Sequence, residues 1–130
     1  MYLRNKKCKI LVADDDHDLV NLLNVRLEAE GFEVLNAYEG IRVIEVARNK
    51  KPDLILLDVM MPTGTGQTVL KNLRAHPETK NIPVIVLTAL GGAELEHEMR
   101  AAGAEDFLRK PYDAQDLLSR IRNLMESRQK

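Results

Sequence analysis

An internal disulfide is excluded at once, because Cys8 is the only cysteine in the 130-residue chain. Cys8 begins an apolar run, and a redox or metal role would want a second cysteine or a histidine cluster, so packing is its expected role. Charge of one sign is not in excess either. Nineteen Lys and Arg against 20 Asp and Glu leave a net −1, which supplies no field toward nucleic acid or an anionic membrane. Direct nucleic-acid binding is therefore not expected. No apolar run approaches the length of a membrane span, and Met1 to Lys7 carries charge with no signal-peptide h-region behind it. Membrane association is not expected, and the expected location is the cytoplasm. No Gly-rich fingerprint of a dinucleotide binder follows the first apolar run.

What is present is an ordinary globular balance, 45% apolar and 30% charged, with length for one full core. A single domain over 1–130 is expected, its core spanning about 8–127, with no linker, repeat or low-complexity segment. Short apolar runs alternate with amphipathic stretches. Ile10 to Ala13 reads as a strand buried on both faces, and Leu19, Val20, Leu22, Leu23 and Leu27 as one face of a helix that Gly31 closes. Phe32 to Ala37 is a second, less apolar strand. A helix opens at Gly40, around Val43, Ile44 and Ala47, and Pro52 bounds it. Leu54 to Leu57 is a third buried strand, and Val69, Leu70 and Leu73 mark the next helix. Val84 to Leu87 is the most strand-like segment by β-branching. A helix over about 93–102, a short strand from Asp106 to Leu108 and a last helix with Leu117, Leu118, Ile121 and Leu124 complete five βα units. Such a pattern predicts a parallel sheet covered on both faces, with the site outside the carboxyl ends of the strands.

Those ends carry the chemistry. Strand one ends in Asp14-Asp15-Asp16, strand three in Asp58, strand four in Thr88 and strand five in Lys110. Taken singly each has an ordinary explanation: the Asp triplet as a helix cap, Asp58 as a turn residue. If strands one and three are neighbours, these ends form one acidic crevice with one hydroxyl and one cation. Converging carboxylates repel unless protonated or neutralised, and an all-oxygen acidic pocket suits Mg²⁺. A carboxylate beside Mg²⁺ can attack phosphorus, with Lys110 and Thr88 supplying charge and a hydrogen bond to the transferring oxygens. His17, His76 and His97 lack ligand spacing and are expected at the surface. Met60-Met61 reads as packing or turn, not as a soft metal site.

Over residues 8–127 the chain resembles the receiver domain of two-component response regulators. The motifs that carry the resemblance are Ile10 to Asp16, Asp58-Val59-Met60-Met61-Pro62, Thr88-Ala89 and Lys110-Pro111. The resemblance implies a doubly wound, flavodoxin-like (βα)5 sheet in the order 2-1-3-4-5. It implies Asp58 as phosphoacceptor, Asp15 as a direct Mg²⁺ ligand with Asp14 acting partly through water, and the Met60 backbone carbonyl as a further ligand. Mn²⁺ is the expected substitute metal. Thr88 and Phe107 take the switch positions, Lys110 the phosphoryl-pairing position, and the Lys110–Pro111 bond is expected to be cis. The implied partners are a sensor histidine kinase or a histidine phosphotransfer protein, and downstream a protein target or an output domain that this chain does not contain. The implied protein is a signalling receiver that assists its own phosphorylation, not a metabolic enzyme.

One departure stands beside the acceptor: Gly64 occupies the position where a bulky apolar residue is usual, before Thr65 and Gly66. A more mobile loop is expected there. Two alternatives belong to other classes. A haloacid-dehalogenase-like phosphatase also uses a strand-end Asp, Mg²⁺, Thr and Lys, but wants an acid where this chain has Met60. A binding-only pseudo-receiver would lack one of the acids, Thr88 or Lys110, and none is lacking.

Overall fold

The computed structural model describes residues 7–128. Met1 to Lys6, within the stretch read above for a signal peptide, lie outside the described residues, as do Gln129 and Lys130.

Five strands and five helices alternate along the chain. β1 is Lys9–Ala13, α1 His17–Ala29, β2 Glu33–Ala37, α2 Gly40–Lys50 and β3 Leu54–Leu57. α3 is Gly66–Ala75, β4 Val84–Thr88, α4 Ala93–Ala101, β5 Asp106–Arg109 and α5 Ala114–Arg128. The strands pair in parallel in the order β2-β1-β3-β4-β5. The order explains why β2 reads as less apolar: it is an edge strand and only Ala37 in it is buried, whereas all four residues of β3 and all five of β4 are. Strand and helix limits differ from the sequence reading by a residue, as at β2, which starts at Glu33 rather than Phe32.

Because side chains alternate along a strand, each central strand feeds two cores. Leu11, Ile55, Leu57, Val84 and Val86 point to the layer of α2, α3 and α4, joined by Val43, Leu70, Leu73 and Met99. Ile10, Val12, Leu54, Leu56, Ile85 and Leu87 point to the layer of α1 and α5, joined by Val20, Leu27, Leu117 and Ile121. Fully burying each such side chain contributes about 1.5–3 kcal/mol. Cys8 packs half-buried against the second core, where burial and then the Asp53 charge push its thiol up. No helix among the described residues is long and apolar enough to cross a membrane.

Candidate functional site

The carboxyl ends of β1 and β3 are brought together by their pairing. Ala13 and Leu57 are register partners, and the Asp58 N–H donates to the Ala13 carbonyl at 2.9 Å. The next residues, Asp14 and Asp58, therefore rise side by side. One carboxylate oxygen from each of Asp14, Asp15 and Asp58 lies within 4.8 Å of the other two. Asp14 and Asp58 are buried at 6% and 9% exposure, and Asp15 is exposed at the mouth.

The Asp triplet divides its work. Asp16 is the N-cap of α1, its side chain accepting from the Leu19 N–H at 3.2 Å. Asp14 Oδ1 accepts from the Asp16 N–H at 3.0 Å, and Asp58 Oδ1 from the Met60 N–H at 3.2 Å. These bonds fix both carboxylates and leave each Oδ2 for the crevice.

Lys110 follows β5 and reaches across the end of β4. Its Nζ lies 2.6 Å from Asp14 Oδ2 and 3.2 Å from Asp58 Oδ2. Burial, the largest influence, pulls the ammonium down. The Asp14 hydrogen bond and the Asp58 and Asp14 charges outweigh it and hold Lys110 above its ordinary value. The Lys110 N–H donates to the Thr88 carbonyl at 2.8 Å, and the Lys110–Pro111 bond is cis. Tyr112 stands beside Lys110. Burial first, and then the Asp14 charge, push its phenol up against the opposing pull of Lys110.

Three carboxylates against one ammonium leave a crevice still acidic, and its donors are all oxygen. That set fits a hard divalent cation. Met60 is turned outward, with 59% of its surface exposed, while Met61 packs against the first core.

The other sequence-selected residues stand differently. Thr88 is fully buried, and its hydroxyl accepts from the Leu90 N–H at 3.2 Å. Among the described residues it makes no side-chain bond to Asp14, Asp58 or Lys110. Phe107 is 5% exposed and already packed inward in the first core, as a ring without a hydroxyl prefers. His17 and His97 are exposed as expected, His17 stacked on Tyr38 with ring centroids 3.9 Å apart. His76 is half-buried instead, because its Nδ1 sits 2.8 Å from the Asn72 carbonyl at the end of α3.

Beside the crevice runs a groove of about 940 Å³ between α1 and the start of α5. It shares Leu19, Leu23, Lys110 and Tyr112 with the crevice lining. Sequence periodicity assigned Leu22 to the buried face of α1, but 70% of it is exposed on this groove, as is 68% of Val25. The apolar stripe of α1 is wider than the core it covers.

A doubly wound five-stranded sheet with an acidic crevice at the ends of β1 and β3, closed by the lysine that follows β5, defines a receiver. Residues 10–122 match the response regulator receiver domain, and the chain belongs to that family. It is 40% identical over 117 residues, 90% of this chain, to the DNA-binding dual master transcriptional regulator RpaA of Synechocystis sp., covering 48% of that protein. The chain spans about half or less of the length of the curated relatives it matches. The receiver domain of Francisella response regulator 1452 superposes with a TM-score of 0.87 at 33% identity, covering 95% of this chain and 100% of the other. The BeF3-activated N-terminal receiver domain of Klebsiella pneumoniae RstA gives a TM-score of 0.84 at 31% identity, with 90% and 97% covered. The chain is thus a receiver domain of two-component signalling.

Proposed function

We propose that Asp58 accepts a phosphoryl group, with Mg²⁺ held by Asp15, Asp58 and the Met60 carbonyl beside Asp14. The observation that carries this reading is the double contact of Lys110 Nζ with Asp14 and Asp58. A lysine placed there offsets part of the crevice's negative charge at rest and stands ready beside the acceptor oxygen. That a relative's receiver was obtained in a BeF3-activated form supports the same reading.

In the proposed reaction an Asp58 oxygen bonds to phosphorus while the P–N bond of a partner's phosphohistidine breaks. The imidazole leaves and takes up a proton. A cation held by these carboxylates would neutralise charge on the transferring oxygens. Lys110 exchanges its Asp14 contact for a phosphoryl oxygen, and Thr88 turns its hydroxyl from the Leu90 N–H toward another. Phe107, already inward, leaves room for that turn. The donor is a sensor histidine kinase or a phosphotransfer protein. Its approach would cover the α1 groove, since that apolar surface is continuous with the crevice.

Readout is proposed at α4, β5 and α5, where Asp106 bridges Arg100 at 3.2 Å and Arg120 at 2.8 Å. A local charge change at the crevice would bias this face, and a protein target or output domain would read it. With no excess of positive charge, the chain is read as a binder of protein rather than of nucleic acid.

Intact-mass spectrometry after incubation with acetyl phosphate tests the acceptor reading. One phosphoryl adduct is expected with Mg²⁺, none with chelator and none in Asp58→Asn. No adduct in the wild type, or sustained release of phosphate from unrelated phosphoesters, would contradict it. The second result would favour the phosphatase alternative.

A further inference from the structure

The loop from Val59 to Thr65 joins the acceptor strand to α3, and its outer side is fastened to a helix it does not belong to. α2 has no side-chain cap of its own: its N-cap residue, Glu39, makes no capping hydrogen bond. Its first donors are satisfied from the loop instead. The Gly40 N–H donates to the Pro62 carbonyl at 2.8 Å, and the Ile41 N–H to Thr63 Oγ1 at 3.1 Å. Thr63 Oγ1 in turn donates to Glu39 Oε1 at 3.4 Å. The hydroxyl thus does the work of an N-cap from 22 residues away.

Thr63 holds that position in a conformation unusual for its type. Its φ is +63°, in the left-handed region that a β-branched residue disfavours. Glycine would occupy this backbone without strain but would bring no hydroxyl. The surroundings are shaped for the same contact. A Cβ on Gly40 would meet the Gly64 Cα at 3.0 Å, so a glycine here allows the loop to lie directly on α2. At the loop's base a Cβ on Gly66 would meet the Val59 Cα at 2.9 Å, and the Gly66 N–H donates to the Val59 carbonyl. The loop is therefore pinned at both sides, with Met60 between the pins and its N–H on Asp58 Oδ1. Gly64 lies against Gly40, its Cα 3.0 Å from where a Gly40 Cβ would stand.

We propose that Thr63 is a positioning residue for the phosphorylation site, its hydroxyl capping α2 so that the loop holds the Met60 carbonyl in place for the cation. The proposal rests on the reading of Asp14, Asp15, Asp58 and Met60 as the Mg²⁺ site. The geometry separates the hydroxyl from the backbone: Thr63→Ser keeps the cap, Thr63→Gly removes it while relieving the φ, and Thr63→Val removes it while keeping the branching.

The test is Mg²⁺ titration of all four chains followed by amide NMR, with hydrogen exchange at Ile41 read in the metal-free proteins. Thr63→Ser is expected to stay within about twofold of wild type. Thr63→Gly and Thr63→Val should lose protection at Ile41 and bind Mg²⁺ roughly fivefold more weakly, the factor that one N-cap bond carries. Since Thr63→Gly relieves strain, a residue that mattered only for stability would give wild-type or tighter binding in that variant. That result, with wild type binding normally, overturns the Thr63 proposal alone. A wild-type chain whose Asp14, Asp15 and Asp58 amides do not respond to Mg²⁺ overturns the metal site and this proposal together.

Discussion

Lys110 and Asp14, 96 positions apart in the chain, close a 2.6 Å ion pair across the carboxyl end of the sheet, from β5 over β4 and β3 to β1. The pair gives the crevice its resting charge balance, and its breakage is the first step in the proposed switch. In the proposed phosphorylated state the ammonium would have a stronger claimant than Asp14.

Lys110→Met removes the only ammonium bonded to Asp14 and Asp58 among the described residues, and leaves three carboxylates facing one another. Breaking a part-buried pair from one side is expected to cost about 1–3 kcal/mol, less than for a fully buried one because water still reaches the site. Urea denaturation measures it. The loss should shrink when Mg²⁺ is added, since the cation replaces the missing charge. A loss of the same size with and without Mg²⁺ would mean that the lysine does not serve to balance the crevice.

The alkaline limb of stability should report the same contacts. Lys110 is held above its ordinary 10.5, so its contribution is complete below that value and fades as pH climbs through the folded value. Tyr112 acts in the same direction: burial raises its phenol above 10.0, so the unfolded chain ionises first. Urea midpoints should therefore fall once pH passes about 10. Tyr112→Phe should flatten part of that fall and Lys110→Met a further part. Identical slopes in all three chains would refute the assignment.

At the opposite end of the sheet Arg74 ties three segments together. Its guanidinium donates to the carbonyls of Lys80, Ile82 and Gly103 and to Glu105 Oε1, which itself accepts from the Val84 N–H. Gly103 has φ +115°, and a Cβ there would lie 2.8 Å from Arg74 Nε. Gly103→Ala should cost about 2 kcal/mol through strain and displacement of the guanidinium. Arg74→Met should cost about 2–4 kcal/mol through orphaned carbonyls. Because the two residues occupy one site, the double variant should lose less than the sum of the singles. Strict additivity in denaturation midpoints would show that the contact has no energetic weight.

The sequence carried the fold well because its signals are local. Leu54 to Leu57 and Val84 to Leu87 are uninterrupted apolar runs, and such runs are strands buried on both faces. The residues at their ends follow from the strand limits, so Asp14, Asp58 and Lys110 were legible as candidates. That they meet depends on β1 lying beside β3, which periodicity does not contain and the family resemblance supplied. Contacts set by packing were not legible. Thr63 carried no signal in the sequence, and its bond to Ile41 exists only because α2 and the β3–α3 loop are neighbours. Thr88 shows the same limit, since its residue type announced a hydroxyl but not that the Leu90 N–H holds it at rest.

The proposed chemistry converges on one atom pair, an Asp58 oxygen and phosphorus, and that bond can be located directly. Borohydride reduction of an acyl phosphate converts the modified aspartate to homoserine, which peptide mass spectrometry places at a residue. After acetyl phosphate and Mg²⁺ treatment, homoserine is expected at position 58 and nowhere else, and is expected to vanish when the cation is chelated. Homoserine at Asp14 or Asp15, or at no position in a chain that has taken up a phosphoryl group, would contradict Asp58 as the acceptor.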